Sequence, residues 1–104
     1  MTDVMQYSPA LDFGTAADLL DAMANVKRLR VLQLLSSQEM SVNALAAEVD
    51  LSQSALSQHL QKLRLANLVE PRRQAQTIYY TIKSPAVLAV LGTLRAIYDG
   101  DGTW

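Results

Sequence analysis

The sequence contains no cysteine and a single histidine among its 104 residues. The lack of cysteine excludes disulfides, thiolate metal sites, thiol redox sensing and cysteine nucleophiles. The one histidine, His59, argues against a Ser-His catalytic triad, and no carboxylate lies near it in sequence to complete a transition-metal site. We therefore expect a protein that is not an enzyme and that holds no metal and no cofactor.

Long apolar runs are also lacking. No stretch of about 18 apolar residues is present, which excludes a transmembrane helix in this sequence. The first twelve residues carry acids and no apolar core of the kind that a signal peptide needs. Half of the residues are apolar, so one domain with a true core is expected, although a chain this short would gain stability from dimerisation. We expect a cytoplasmic protein that does not bind membranes.

Charge is unevenly distributed although the net charge is only −1. Residues 1–26 hold four acids and no base, whereas residues 51–83 hold five bases against the single acid Glu70. A phosphate-binding surface needs such a local concentration, because affinity depends on the contacts made and not on the net charge. Charge alone would favour a solvated basic face over a phosphate-binding surface.

Apolar positions at helical spacing predict four helices in the first two thirds of the chain. Asn25 and Ser52 are suited to cap the second and fourth helices, and either Ser41 or Asn43 could begin the third. Glu39–Val42 reads as a short link or a single strand. The predicted helices are Thr15–Ala24, Val26–Leu35 with Val26, Leu29, Leu32 and Leu35 buried, Ala44–Val49, and Gln53–Ala66.

The pattern changes after Asn67. Leu68–Arg73 and Thr77–Ile82 are rich in β-forming residues and predict a hairpin, with a loop longer than two residues because no Asn-Gly or Asp-Gly is present. A last helix is predicted from Pro85 to about Tyr98. The fold class is therefore mainly α with a small β-hairpin, in the order α-α-α-α-β-β-α. Residues 13–99 form the predicted domain, between a flexible N-terminal tail (1–12) and a C-terminal tail (100–104).

The helix after Ser52 carries the functional signal. Outside its buried leucines it presents Gln, Ser, His and Lys side chains, and residues 53–61 contain no acid. An ordinary exposed helix usually carries Glu–Lys pairs. Uncharged donors and acceptors suit a helix that reads base edges in the major groove, and an acid there would repel phosphate. Two short helices joined by a tight turn, followed by a basic hairpin, predict a winged helix-turn-helix that binds double-stranded DNA.

The segment Leu51–Arg64, followed by Leu68-Val69, Arg72-Arg73 and Thr77–Tyr80, resembles the ArsR/SmtB family of winged-helix repressors, and within it the nodulation-gene regulator branch. The resemblance covers about residues 14–98. It implies a symmetric homodimer built from the first and last helices, and repression by occlusion of a promoter. Metal-sensing and persulfide-sensing members use cysteines, or His and Asp pairs on the last helix, that this chain lacks; Gln33 stands at one such cysteine position.

The residue pattern and the resemblance together predict a DNA-binding surface and a dimer surface. Gln53, Ser54, Ser57 and Gln58 would read bases, while basic side chains and the wing would hold the DNA backbone or minor groove. The alternative is a winged-helix module that binds another protein, which the acid-free helix face disfavours. A small-molecule or protein effector is left open. The predicted DNA contacts are Ser52, Gln53, Ser54, Ser57, Gln58, His59, Lys62, Arg64, Arg72, Arg73, Gln74 and Thr77. The predicted dimer contacts are Leu19, Leu20, Val87, Leu88, Leu91, Leu94, Ile97 and Tyr98.

Overall fold

The computed structural model describes residues 11–99. Within these residues, five helices and three short strands follow one another in the order α-α-β-α-α-β-β-α. The predicted C-terminal tail and all but two residues of the predicted N-terminal tail lie outside the described residues. The elements are α1 (Phe13–Met23), α2 (Val26–Leu35), β1 (Met40–Ser41), α3 (Val42–Val49), α4 (Gln53–Leu65), β2 (Val69–Gln74), β3 (Thr77–Ile82) and α5 (Pro85–Asp99).

Polar side chains begin all five helices of the described residues, and at α5 the Ser84 hydroxyl accepts from the Ala86 amide. The predicted caps are confirmed, since Asn25, Ser41 and Ser52 each accept a hydrogen bond from a backbone N–H of the first helical turn that follows. Helix α1 begins two residues before its predicted start because the Asp12 carboxylate accepts from the Thr15 amide. Such caps satisfy N–H groups that have no partner within the helix.

The first turn of α2 ties two neighbouring helices to it. Lys27 Nζ donates to the carbonyl of Val49, at the end of α3, over 2.6 Å. Arg28 Nε donates to the carbonyl of Ala22, in the last turn of α1, also over 2.6 Å. Each cation therefore satisfies a carbonyl at a helix C-terminus, where the helix dipole favours positive charge.

The strands form one antiparallel sheet in the order β1-β3-β2. Of the two alternatives for Glu39–Val42, a link or a strand, the structure shows the strand, which the predicted element order did not include. The prediction of a long hairpin loop is wrong, since only Ala75 and Gln76 join β2 to β3. Ala75 adopts a left-handed φ of 56°. A two-residue turn requires such a backbone and usually has Gly or Asn at that position. Ala75-Gln76 therefore carries no residue that signals the turn.

The core lies where the helices meet the sheet. Val26 is 81% exposed, contrary to its predicted burial, because the inner face of α2 is formed by Val31, Leu32 and Leu35. None of the helices within residues 11–99 is both long and apolar enough to span a membrane. The buried hydrophobic residues are Ala22, Met23, Val31, Leu32, Leu35, Leu45, Val49, Leu56, Leu60, Leu63, Leu68, Val69, Tyr80, Val87 and Leu91.

The predicted dimer contacts divide into two groups. Val87 and Leu91 are buried in the protomer's own core, at 0% and 7% exposure, so their prediction as dimer contacts is corrected. They face inward because α5 is amphipathic and its inner stripe closes the core. Leu19 and Leu94 are half-buried. The remaining predicted contacts are large apolar side chains exposed on α1 and α5, namely Leu20, Leu88, Ile97 and Tyr98.

Candidate nucleic-acid interface

Helices α3 and α4 form a helix-turn-helix around a three-residue turn. Asp50 closes α3 in the left-handed conformation, at φ 56° and ψ 55°, and Ser52 caps α4. Helix α4 buries Leu56, Leu60 and Leu63. Its other face is exposed, as the sequence predicts. That face consists of Gln53, Ser54, Ser57, Gln58 and Gln61.

The first half of α4 keeps its polar groups free. In the part of the chain that the structure describes, the side chains of Gln53, Ser57 and Gln58 form no hydrogen bond. Ser54 only approaches the neighbouring cap, with 3.4 Å between its Oγ and that of Ser52. Amide and hydroxyl groups without internal partners are available to base edges.

The start of α4 also shares a small cleft with the wing. Gln53 lines this cleft of about 110 Å³ together with Asn43 of α3 and Gln76 and Thr77 of the hairpin. Sequence reasoning missed Asn43 and Gln76 as interface residues. The sequence suggests Asn43 only as a possible helix cap, but Ser41 takes that role. The Asn43 amide is therefore left exposed beside α4. The sequence signal that could have identified Asn43 is its position in the first turn of α3, the first helix of the helix-turn-helix.

The second half of α4 is tied to the body of the protein. Lys62 Nζ lies 3.0 Å from Asp21 Oδ2 of α1, and Arg64 Nη1 donates to the Tyr80 hydroxyl over 3.2 Å. Both cations were predicted to serve phosphates. The structure instead gives each an intramolecular partner, an opposite charge for Lys62 and a neutral hydroxyl for Arg64.

His59 faces α2 and is half-buried, which corrects its predicted place on the DNA-facing side of the helix. Its Nδ1 lies 3.3 Å from Nη1 of Arg28. Because a guanidinium can only donate, Nδ1 accepts this hydrogen bond and Nε2 carries the ring proton. Burial, and then the positive charges of Arg28 and Lys27, lower the pKa of His59 below its ordinary value. His59 is therefore a neutral link between α4 and α2.

The two wing arginines have different surroundings. Arg72 pairs in register with Tyr79 and Arg73 with Ile78, so their side chains leave opposite faces of the hairpin. Arg72 forms two hydrogen bonds with Glu39, and its Nη1 donates to Gln74 Oε1. Arg73 has neither a hydrogen bond nor an ion pair with any residue from 11 to 99. Of the four predicted phosphate-binding cations, Arg73 alone is unengaged within that range.

An exposed, acid-free helix beside a β-hairpin, on a helical core, defines a winged helix-turn-helix DNA-binding protein. No group of three or more His, Cys, Asp or Glu side chains that could hold a metal ion occurs within residues 11–99. The sequence of residues 25–71 matches the family model described as bacterial regulatory protein, arsR family.

Relatives match most of the chain. Nodulation protein NolR of Rhizobium meliloti is 60% identical over 90 residues, which cover 86% of this chain and 74% of NolR. The transcriptional activator HlyU of Vibrio cholerae is 48% identical over 83 residues, covering 80% of this chain and 77% of HlyU. The chain belongs to the ArsR family of bacterial transcriptional regulators.

Solved structures agree with this assignment. The crystal structure of NolR from Sinorhizobium fredii matches with a TM-score of 0.81 at 51% identity, covering 93% of this chain and 99% of that one. A homodimeric winged helix-turn-helix DNA-binding domain from Mycobacterium bovis matches with a TM-score of 0.77 at 28% identity, covering 90% and 92% of the two chains. The predicted fold, family and role as a DNA-binding transcriptional regulator rather than an enzyme are confirmed.

Proposed function

We propose that the protein is a homodimeric repressor that binds a two-fold symmetric operator and occludes a promoter. The observation that carries this proposal is the exposed face of the first half of α4. It contains no acid, and among the described residues its amides and hydroxyls have no partner except the adjacent Ser52 hydroxyl, 3.4 Å from that of Ser54. The helix would enter the major groove with Gln53, Ser54, Ser57 and Gln58 toward base edges. Ser52, Arg73, Gln74 and Thr77 would contact the flanking backbone or minor groove.

The dimer would form through α1 and α5. Large apolar side chains exposed on these helices, such as Leu20 and Ile97, would be covered by a second copy, as expected for apolar surface on a small domain. Ile97→Glu should then shift the protein to monomers in sedimentation, because a charge would be buried without a partner. Val26 on α2 is also apolar and is more exposed than Ile97, at 81% against 62%. Val26→Glu is therefore the control and should leave the dimer intact.

Footprinting on the DNA upstream of the protein's own gene tests the operator. A dimer places two recognition helices one DNA turn apart, so half-sites centred about 10 base pairs apart, or a multiple of this, are expected. A single asymmetric half-site would contradict the dimer. Failure to bind any DNA specifically would favour the protein-docking alternative.

Repression requires the operator to overlap the promoter. Because the relative HlyU is named an activator, transcription in vitro with purified polymerase is the deciding measurement. Less transcript with added protein supports occlusion, whereas more transcript would make the protein an activator. We place this action in the cytoplasm, where a bacterial regulator meets DNA, and leave an effector unassigned.

A further inference from the structure

Glu39 forms an ion pair across the wing. It lies just before β1, at one edge of the sheet, whereas Arg72 lies on β2, at the other edge. Arg72 Nε donates to Glu39 Oε2 over 2.9 Å, and Nη2 donates to Oε1 over 2.7 Å. The Arg72 guanidinium carbon also lies 4.8 Å from the centre of the Tyr79 ring on β3, between the two edges. The side chains thus form a strap over all three strands.

The geometry is more specific than that of a simple surface contact. Two parallel N–H···O bonds match the planar guanidinium to the carboxylate, and the aromatic ring beneath it fixes the plane. The Arg72 hydrogen bonds hold the pKa of the Glu39 carboxyl below its ordinary value, so the pair stays charged at neutral pH. Gln74 Oε1 accepts a third hydrogen bond, from Nη1.

The strap has a consequence for DNA binding. Three of the five N–H groups of the Arg72 guanidinium already have partners. A phosphate on the other two would lie beside the Glu39 carboxylate, where like charges repel. Arg73 has no such competitor among residues 11–99. The two adjacent arginines therefore have different capacities to bind phosphate, although the sequence presents them as a pair.

We propose that Glu39 is a positioning residue that holds Arg72 on the outer face of the wing, so that Arg72 stiffens the hairpin while Arg73 contacts the DNA backbone. This inference rests on the proposed DNA-binding function. It also makes Glu39 a determinant of specificity. The pairing keeps the Arg72 charge from attracting DNA of any sequence.

A double-mutant cycle tests the proposal, using Glu39→Gln, Arg72→Gln and the double variant, on operator and unrelated DNA over a range of salt. Glu39→Gln releases the Arg72 charge and should tighten binding to unrelated DNA about twofold to fivefold, the range of an exposed ion pair. Arg72→Gln leaves Glu39 unpaired near phosphate and should weaken binding to both DNAs by a similar factor. The double variant should return to wild-type affinity and salt slope.

The contrary result is distinct. If Arg72 contacts phosphate, Arg72→Gln and the double variant would both lose about 0.9 of the log–log salt slope, and Glu39→Gln would change little. That outcome would overturn the proposal.

Amide hydrogen exchange on the free protein separates this inference from the proposed function. Glu39→Gln and Arg72→Gln should speed exchange in β2 and β3, whereas Arg73→Gln should not. If amide exchange were unchanged in all three variants, the strap would not stiffen the hairpin, whatever the DNA-binding results. If Glu39→Gln and Arg72→Gln exchanged faster but the protein showed no preference for operator DNA, the strap would be supported and the operator function rejected.

Discussion

The two halves of α4 differ in what their side chains do, although both are polar on the outside and share one buried stripe. The first half, up to Gln58, makes no side-chain bond to another helix or to the sheet within residues 11–99. The second half is joined to three other elements, through His59 to α2, Lys62 to α1 and Arg64 to β3. A positive charge in the sequence is therefore not the same as a positive charge available to DNA.

This division suits a recognition helix. The groups that contact bases must exchange water for DNA partners, so they gain from having no internal partner to lose. The groups that hold the helix at a fixed angle must stay bonded whether or not DNA is present. One end of α4 is therefore free to bind while the other end is anchored.

The largest expected effect is common to both halves. Leu56, in the first half, and Leu63, in the second, are fully buried. Replacing either with Ala should lower the free energy of unfolding by about 2–5 kcal/mol, because apolar area is lost and a cavity is left. Denaturant unfolding measures the loss of stability. Leu65→Ala is the control, because the Leu65 side chain is 71% exposed. A loss confined to one of the two buried positions would show that the halves are not anchored by one core.

The next effect separates the halves on operator DNA. Gln58→Ala should reduce the preference for operator over random DNA by about 1–3 kcal/mol, the cost of a lost bidentate base contact. Gln61 lies on the same exposed face but in the second half of α4, so Gln61→Ala should reduce the preference clearly less. Competition binding assays measure both. Equal losses on operator and random DNA for Gln58→Ala would mean that this side chain contacts only the backbone.

A smaller effect compares free and paired cations. Arg73→Gln should reduce the log–log salt slope of DNA binding by about 0.9, as expected for one lost phosphate contact. Lys62→Gln removes the same charge, but from an ion pair with Asp21, and should change the slope by much less. Titrations at several salt concentrations give both slopes. A larger change for Lys62→Gln would show that DNA displaces Asp21.

Much of the fold could be predicted because its signals are local. Helical apolar spacing, with cap residues such as Asn25 and Ser52, placed the helices to within a few residues, and β-rich runs placed the hairpin. The turn at Ala75 could not be predicted, because tertiary pairing of the strands imposes a backbone that alanine disfavours. The inward position of Val87 and Leu91 was missed for a related reason. An apolar stripe on an end helix fits a core or an interface equally well, and only packing decides between them.

The site was predicted less completely than the fold. Residue type correctly marked the exposed face of α4, since the lack of acids there is visible in the sequence. Which cations are available could not be predicted, because their partners are distant along the chain. Asp21 is 41 residues from Lys62, and Glu39 is 33 residues from Arg72. Ion pairs of this kind depend on which elements the fold brings together.

The smallest expected effect is a pH dependence of stability that comes from the link between α4 and α2. The pKa of His59 is lowered in the folded protein, by burial first and then by Arg28 and Lys27. The unfolded chain, with a histidine near its ordinary value of 6.5, therefore binds a proton at a higher pH than the folded protein does. The free energy of unfolding should fall as the pH drops below about 6.5 and level off once the folded protein is protonated as well.

His59→Gln keeps a polar side chain but cannot titrate, so it should flatten this dependence between pH 7 and 5 in thermal or denaturant unfolding. The carboxyls whose pKa values are lowered, those of Asp12 and Glu39, lose their stabilisation only at more acidic pH. They therefore do not obscure this window. An unchanged slope in His59→Gln would mean that the imidazole reaches solvent freely, and that Arg28 holds α1 without also holding the recognition helix.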